Sequence, residues 1–348
     1  MTAPTWSVVV PTFNRVRDLE RTLAGYARQE GAPPFELVVV DDGSTDATAE
    51  LLAGFRSDRF ALKTTRQENG GPARARNRAL PLASGEKVLF TGDDIEPAPD
   101  LLARHEAHHA REGDPKVAIL GRIAWPERLE TTATMRHVDG RGAQQFSFLY
   151  MQDGTEYDYR HFYTSNVSID RAFLISERGP FDEGFPHAAF EDAELSLRLA
   201  RRGLRIRYQA DAAAWHWHRY DAAGFFARQR RCGEMGALLI AREPGTAKIL
   251  GLPRLTRDRW RSFWVAKLGS GRLRDLADRL EAEEERAVAA AKELDAADDD
   301  TAFGLLYALF NYGYAAGLAD RSWPRASARR TRALQFAREV TPRLPAAP

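Results

Sequence analysis

The sequence contains almost no cysteine and no long uninterrupted hydrophobic run. Cys232 is the single cysteine among 348 residues, which excludes a disulfide within the chain and favours a reducing compartment. No stretch approaches the roughly 20 consecutive apolar residues of a membrane span, and the first residues lack the basic segment of a signal peptide. These absences predict a globular protein of the cytoplasm.

Charge is nearly balanced over the whole chain but is unevenly distributed along it. The formal net charge is +1, yet the stretch from Arg198 to Arg279 has 19 Lys and Arg against 7 Asp and Glu. The following residues, 281–300, are acidic. A basic block can face nucleic acid, anionic lipid or a phosphorylated substrate, or it can consist of solvated helix faces. Composition alone leaves these alternatives open.

The first hundred residues alternate between strand-like and helix-like segments. Short apolar blocks predict strands at 6–13, 35–43, 59–67 and 86–94, and amphipathic segments between them predict helices. This alternation is typical of a parallel sheet with right-handed crossovers, in which ligands bind beyond the carboxyl ends of the strands. Four carboxylates fall at such ends, namely Asp41, Asp42, Asp93 and Asp94.

The remainder of the chain changes character twice. Residues 103–190 are less regular, and residues 191–208 predict an amphipathic helix that ends near Gly203. From about residue 222 onward the pattern is helical. We therefore expect two domains, 1–221 and 222–348, with the second serving acceptor recognition, oligomerisation or membrane association.

Four motifs occur in a fixed order along the first domain. They are VVVPTFNR (8–15), VVVDDGSTD (38–46), FTGDDIEPAPD (90–100) and FEDAELSLRL (190–199). From Ser7 to about Tyr220 the sequence resembles the family 2 glycosyltransferases. The resemblance implies an α/β GT-A fold, with a Rossmann-like, mostly parallel central sheet flanked by helices, and leaves the C-terminal third as a helical appendage.

The resemblance also implies a reaction and its partners. The donor is a nucleotide-diphosphate sugar carrying UDP, GDP or dTDP, and the acceptor is a sugar or a lipid-linked hydroxyl in bacterial polysaccharide or glycoconjugate synthesis. Nucleic acid is not an expected partner.

A divalent metal ion, Mn²⁺ or Mg²⁺, is implied as the cofactor. By resemblance, Asp94 is the direct metal ligand, and Asp93 contacts the ribose or supports the metal. His216 matches a histidine that contacts the metal or the diphosphate, and His218 is a less favoured substitute. The family often has a further Asp at the position of Thr91, so the metal affinity is expected to be weaker than the motif alone suggests.

The resemblance assigns further residues to donor binding. Asp42 matches a residue that hydrogen-bonds the base, with Asp41 as its neighbour, and an Asp can accept from a ring N–H of uracil, thymine or guanine. The other residues assigned to nucleotide or donor binding are Pro11, Thr12, Phe13, Arg15, Gly71, Arg76 and Asn166.

The catalytic assignment falls on the start of the helix at 191. Asp192 matches the general base that takes the proton from the acceptor hydroxyl, with Glu191 beside it. A base on the face opposite the leaving diphosphate implies inversion at the anomeric carbon. Capping of the helix is the structural alternative, because carboxylates are favoured at helix N-termini.

Two other functions are weighed against transfer of a sugar. A nucleotidyltransferase also uses paired Asp residues, but residues 11–19 contain no glycine where those enzymes carry a Gly-rich loop. A sugar-nucleotide-binding protein without turnover is the non-catalytic alternative. Separately, Arg228, Arg230 and Arg231 predict recognition of an anionic acceptor, such as a lipid-linked diphosphate sugar, by peripheral contact at the inner face of the membrane.

Overall fold

The chain divides into two compact units in a computed structural model. The model describes residues 3–176, 179–246, 250, 288, 291–296, 306, 307, 309–311, 313, 314 and 317. The first unit comprises Met1–Leu129 and Tyr150–His218, and the second comprises Glu130–Leu149 and Arg219–Pro348. This division differs from the expected boundary near residue 221 at residues 130–149, which belong to the second unit.

A single mixed β-sheet forms the centre of the first unit. Its strands are β1 (Trp6–Thr12), β2 (Phe35–Asp41), β3 (Ala61–Arg66), β4 (Lys87–Thr91), β5 (Ile95–Pro97), β6 (Val117–Ala124), β7 (Glu156–Tyr157), β8 (Asn166–Asp170) and β9 (Arg205–His216). The strand order is β3-β2-β1-β4-β8-β6-β9-β5, and β7 pairs with β9 outside this path.

Helices cover the sheet and build the second unit. In the first unit they are α1 (Val16–Ala27), α2 (Thr48–Gly54), α3 (Pro72–Ala79), α4 (Leu101–Glu112), α6 (Arg171–Ile175) and α7 (Glu191–Ala200). The second unit contains α5 (Ala133–Asp139) and α8 (Ala222–Arg242). Among the described residues, no helix has the length and hydrophobicity needed to cross a membrane.

The parallel part of the sheet is built from the N-terminal strands. β1 pairs in parallel with both β2 and β4, and β2 pairs in parallel with β3. Every residue of β2 is buried, which explains its continuous run of Leu and Val, since a parallel strand is covered on both faces. Thr12, Asp41 and Thr91 end three of these strands, so the polar residues that follow share one edge of the sheet.

The other part of the sheet mixes both strand directions. β8 pairs antiparallel with β4 and with β6, whereas β6 and β9 run parallel with a register shift between Gly121 and Arg122. Thr91 pairs with Asn166 at the start of β8, and Ile95 in β5 pairs with His216 at the end of β9. The last residues of β9 therefore lie beside the segment that follows β4.

The second unit has a helical core of its own. Asp221 caps α8 by accepting from the backbone N–H of Gly224 at 2.6 Å. Asp295 accepts from the backbone N–H of Thr134 in α5 at 3.2 Å and of Ala222 in α8 at 2.9 Å, so one carboxylate serves the first turns of two helices. Within the apolar stretch 304–319, the described residues are helical, and Leu306, Leu309 and Phe310 are buried.

Candidate active site

The first acidic pair follows β4 at the carboxyl edge of the parallel strands. Thr12, the last residue of β1, donates its hydroxyl to Asp93 Oδ2 at 2.8 Å. Arg15 places Nη1 at 3.4 Å from Asp93 Oδ1 and also forms an ion pair with Asp94. Both carboxylates are less than a tenth exposed. Adjacent buried anions are tolerated because a guanidinium and a hydroxyl compensate them.

Two histidines approach Asp94 from the end of β9. His216 Nε2 lies 3.4 Å and His218 Nδ1 lies 3.6 Å from Asp94 Oδ2. The ring of Trp125 stacks on His216, with centroids 4.9 Å apart. The family resemblance favoured His216 over His218 as the contact residue, but the structure brings both imidazoles to the same carboxylate oxygen.

These neighbours give the two carboxyls of the pair different pKa values. Burial and then the charge of Asp94 raise the pKa of Asp93 to about 7. Burial acts to raise the pKa of Asp94 as well, but the surrounding imidazoles and guanidinium outweigh it and hold that pKa well below its ordinary value. Asp94 is thus an anion over the whole physiological range.

The donor atoms around Asp94 fit a divalent ion that is completed by other ligands. Within the described residues, no group of three or more His, Cys, Asp or Glu side chains is arranged as a metal cage. A carboxylate oxygen and imidazole nitrogens are nevertheless ligands that Mn²⁺ accepts, and Mg²⁺-type sites often use one or two carboxylates with phosphate and water oxygens. The residues present therefore suit an ion that arrives with a diphosphate.

The loop residues after β1 and β2 form the predicted base-binding region. Phe13 follows the half-buried Pro11 and the buried Thr12 at the end of β1, has 43% of its surface exposed and offers a ring for stacking. Asp41 Oδ1 accepts from the backbone N–H of Ser44 at 2.8 Å, which makes it a turn-forming residue. Asp46 accepts from the backbone N–H of Thr48 at the start of α2 at 3.1 Å and from that of Val16 at the start of α1 at 3.0 Å.

Asp42 organises the loop that precedes α3. Its Oδ1 accepts from Gln67 Nε2 at 2.8 Å and from the backbone N–H of Gly70 at 2.9 Å, and its Oδ2 accepts from the backbone N–H of Gly71 at 2.8 Å. Oδ2 keeps a lone pair for a further donor. Gly71 has φ of 86°, and a Cβ there would lie 2.5 Å from the carbonyl oxygen of Pro186, so glycine is required.

The second acidic pair begins α7. Phe190 precedes it with φ of 66°, an uncommon conformation for a residue other than glycine. Glu191 Oε1 accepts from Arg76 Nη1 at 2.8 Å, and both side chains are buried. Arg76 was expected to face the phosphates, but the structure pairs it with Glu191 instead. Arg76 Nε and Glu191 Oε2 are buried atoms without a hydrogen-bond partner in the described part of the chain.

Asp192 is the titratable member of the second pair. Burial and then the charge of Glu191 raise its pKa to about 7, against the opposing influence of Arg76. Its carboxyl accepts backbone hydrogen bonds from Ala193 and Thr164, and it keeps partial contact with solvent. Since Thr164 lies just before β8, which pairs with β4, Asp192 is near the same edge of the sheet as Asp93.

Asn166 has a structural environment rather than an open one. Its side chain is 1% exposed, and its Nδ2 donates to the carbonyl oxygens of Ala212 at 2.9 Å and Arg122 at 3.2 Å. Its Oδ1 lies 3.0 Å from His105 Nε2. Its hydrogen-bonding groups thus hold β8 to β6, β9 and α4, and the contact of Asn166 with donor or acceptor stays a prediction.

Comparison with known sequences agrees with this geometry. Residues 7–175 match the profile of Glycosyl transferase family 2. The uncharacterized glycosyltransferase YfnE of Bacillus subtilis is 30% identical over 254 residues, covering 60% of this chain and 64% of YfnE. Validoxylamine A glucosyltransferase of Streptomyces hygroscopicus subsp. limoneus is 34% identical over 226 residues, covering 58% of this chain and 49% of that protein.

Solved structures share the fold. The mannosyltransferase PcManGT of Pyrobaculum calidifontis, in complex with GDP-Man and Mn²⁺, superposes with a TM-score of 0.57 at 21% identity, covering 94% of this chain and 89% of that one. Residues 1–349 of Staphylococcus aureus TarS in complex with UDP superpose with a TM-score of 0.51 at 21% identity, covering 89% of this chain and 92% of that one.

The profile match and these relatives assign the family. The chain carries a family 2 glycosyltransferase domain of GT-A fold, as its motifs predicted. It spans about half to two thirds of the length of the two sequence relatives named above.

Proposed function

We propose that the protein is a metal-dependent, inverting glycosyltransferase that moves a sugar from a nucleotide-diphosphate sugar to an acceptor hydroxyl. The observation that carries this proposal is the pair of contrasting carboxyls near one edge of the sheet. Asp94 is held ionised beside two imidazoles, whereas Asp192 has a pKa of about 7 at the start of α7. An anion for a cation and a base for a hydroxyl are the two groups that this reaction needs.

Asp192 is proposed as the general base. In its ionised form it takes the proton of the acceptor hydroxyl while the oxygen attacks the anomeric carbon and the bond to the diphosphate breaks. A base whose pKa lies near the working pH is both available and strong enough, so a value of about 7 suits the task. Attack opposite the leaving group in one displacement inverts the anomeric centre.

Asp94, His216 and His218 are proposed to hold the metal together with the donor diphosphate. When bound, a divalent ion neutralises the negative charge that develops on the leaving diphosphate. The Mn²⁺ in the PcManGT complex supports this assignment by analogy of fold. Asp93, hydrogen-bonded to Thr12, is proposed to contact the ribose or to support the metal ligand beside it.

The donor nucleotide is proposed to bind over the ends of β1 and β2. Phe13 supplies an exposed ring, Thr12 and Pro11 shape the strand end, and Asp42 keeps acceptor capacity for a ring N–H. Structures of the same fold contain UDP, UDP-GlcNAc or GDP-Man, which supports a nucleotide-sugar donor without selecting among UDP, GDP and dTDP.

A thermal-shift panel tests donor binding. The protein is mixed with UDP, GDP, dTDP or ATP, each with and without Mn²⁺. We expect one diphosphate to raise the melting temperature only with Mn²⁺; a ligand at 100 times its dissociation constant adds about 2.7 kcal/mol to the free energy of unfolding. Sugar transfer is then followed by release of that diphosphate from its sugar conjugates.

The panel also separates the alternative functions. A response to the triphosphate alone, with pyrophosphate released from a sugar phosphate, would indicate a nucleotidyltransferase. Mn²⁺-dependent binding without release of the diphosphate from any donor and acceptor tried would indicate a binding protein. A lack of response to every nucleotide would contradict the proposal.

The acceptor stays a prediction. Of the three arginines expected to meet an anionic acceptor, Arg231 is exposed, whereas Arg228 is half-buried with its guanidinium over the Phe225 ring and Nη1 at 3.5 Å from Cys232 Sγ. Co-sedimentation with anionic vesicles at low salt, compared with a variant in which Arg228, Arg230 and Arg231 are Gln, tests the membrane contact. An absence of binding at low salt would rule it out.

A further inference from the structure

The two histidines at Asp94 flank a tryptophan in the sequence His216-Trp217-His218. The backbone N–H of Trp217 donates to the carbonyl oxygen of Asp94 at 2.9 Å. His216 also sits opposite Ile95 in the pairing of β9 with β5. The tripeptide therefore runs beside the acidic pair, with the imidazole on each side of Trp217 close to Asp94 Oδ2.

The indole of Trp217 is held by a different set of residues. Its Nε1 donates to Glu96 Oε2 at 2.8 Å. The guanidinium carbons of Arg21 and Arg128 lie 4.0 Å and 4.6 Å from its ring centroid, within the range of cation–π attraction. An indole whose N–H is hydrogen-bonded and whose ring contacts two guanidinium groups has one preferred orientation, so the Trp217 side chain is held in place.

Glu96 is the anchor of this arrangement. It is 5% exposed, its Oε1 accepts from Arg28 Nη2 at 3.1 Å, and its Oε2 accepts from Arg128 Nη2 at 2.6 Å. Arg21 belongs to α1, Arg28 follows it directly, and Arg128 lies after β6. A buried carboxylate is costly unless cations and hydrogen-bond donors compensate its charge. The position of Glu96 therefore depends on its arginines and on Trp217, and their positions depend on Glu96.

We propose that Trp217 and Glu96 are positioning residues that set His216 and His218 against Asp94. The reason is geometric: both imidazoles lie within 3.6 Å of Asp94 Oδ2, and the residue between them is held by Asp94 through its backbone N–H and by Glu96 through its indole N–H. A single anchored indole thereby fixes two candidate ligands. This inference rests on the proposed function only for the role of the histidines, which is to bind the metal ion and the donor diphosphate.

The position of the histidines can be tested without any metal. Trp217→Phe keeps an aromatic ring but removes the N–H, and Glu96→Gln keeps an acceptor but removes the charge. Metal-free protein is treated with diethyl pyrocarbonate, and modification of each histidine is followed by peptide mass spectrometry. We expect His216 and His218 to react several-fold faster in both variants, while the exposed His187 reacts at an unchanged rate.

Glu36 offers a matched control. It is also a buried carboxylate in an ion pair, with Lys63 Nζ at 2.7 Å, but it lies near the start of β2 rather than at the carboxyl edge. Glu36→Gln should leave the reactivity of His216 and His218 as in the wild type. If the modification rates of His216 and His218 rise as much in Glu36→Gln as in the other two variants, the effect is a general loosening of the fold and the positioning role is overturned.

Metal affinity provides the second measurement. Mn²⁺ is titrated in the presence of the responding diphosphate and followed by electron paramagnetic resonance. Loss of a residue that orients a ligand typically weakens metal binding by about 10- to 100-fold, and we expect a change of that size in Trp217→Phe and Glu96→Gln but not in Glu36→Gln.

The two measurements fail separately. If the wild type takes up no Mn²⁺ with any nucleotide, the proposed function fails, and histidine reactivity still decides the positioning role. If both histidines keep wild-type reactivity in both variants, the positioning role is overturned, whatever the metal titration shows.

Discussion

The two pairs of consecutive acidic residues, Asp93–Asp94 and Glu191–Asp192, look alike in the sequence and can be compared directly. Each pair is buried or nearly so, each has one arginine as an ion-pair partner, and in each one carboxyl has its pKa raised to about 7. What differs is the rest of the surroundings.

The first pair lies among cations and donors. Two imidazoles, the Arg15 guanidinium and the Thr12 hydroxyl all converge on it, so that Asp94 stays ionised. Around the second pair, Arg76 bonds to Glu191 and leaves Asp192 with burial and a neighbouring negative charge. The comparison shows that neighbours from distant parts of the chain turn one dipeptide into a candidate cation site and the other into a candidate base.

Asp94→Ala should have the largest effect. Removing the ionised carboxylate leaves the imidazoles and Arg15 facing each other, so we expect Mn²⁺-dependent nucleotide binding to disappear in calorimetry while the circular dichroism spectrum is retained. Asp211→Ala is the control, since Asp211 also pairs with a histidine, His108, at 2.6 Å but outside the site. Unchanged affinity with Mn²⁺ in Asp94→Ala would remove the first pair from metal binding.

Asp192→Asn should lower kcat by about 10²- to 10⁴-fold with donor affinity retained, because the amide cannot accept the proton. Steady-state rates at saturating donor, with calorimetry of donor binding, provide the measurement. If Asp192→Asn turns over near the wild-type rate, Asp192 is not the general base and only stabilises the first turn of α7.

The charges of Asp192 and Asp94 should affect stability with opposite signs. The pKa of Asp192 is raised in the folded state, so its carboxyl favours folding below about pH 4 and loses that contribution as pH rises through about 7. Asp192→Asn should therefore raise the free energy of unfolding by up to about 4 kcal/mol at pH 8 and by less than half as much at pH 5.

For Asp94 the sign is reversed. Its pKa is depressed, so its charge stabilises the fold above the ordinary Asp pKa, and that contribution is lost as pH falls. Asp94→Asn should consequently destabilise the protein at pH 8. Urea unfolding at pH 5 and 8 measures both variants, and changes of the same sign at pH 8 would break the comparison.

Glu191→Gln should give the smallest effect. Removing the charge that raises the pKa of Asp192 should move the acidic limb of the kcat/KM profile downward by about half a pH unit, or about 0.7 kcal/mol. Glu194→Gln on the same helix, where Glu194 pairs with Arg198 at 2.7 Å, should leave the limb in place. If the acidic limb of the kcat/KM profile falls at the same pH in the wild type and both variants, Glu191 does not raise the pKa of Asp192.

Much of the site's framework was predictable from the sequence. Alternating apolar blocks and turn residues predicted that Asp42 and Asp93 fall at the carboxyl ends of parallel strands, and the structure places both at one edge of the sheet, after the two strands that flank β1. The helix start at Glu191 was likewise predictable from the periodicity of its leucines. These features depend on local pattern and on the geometry of parallel strands, which a sequence contains.

Other features required the tertiary structure. The partner of Arg76 is 115 residues away along the chain, and no local pattern distinguishes a guanidinium that faces phosphate from one that faces Glu191. Asn166 matched a motif position, but a motif does not say that the side chain turns inward to the Ala212 carbonyl. The place of residues 130–149 in the second unit was equally hidden, since it follows from long-range packing.

The sequence by itself determined the α/β order of the first unit and the positions of its carboxylates, because strand period, turn residues and motif order are properties of neighbouring residues. Only the tertiary structure decided that the pKa of Asp94 is held low and that the pKa of Asp192 is raised to about 7. Both outcomes depend on burial and on side chains a few ångströms away. Those of His216, His218 and Arg76 come from chain segments that meet only when the sheet is complete.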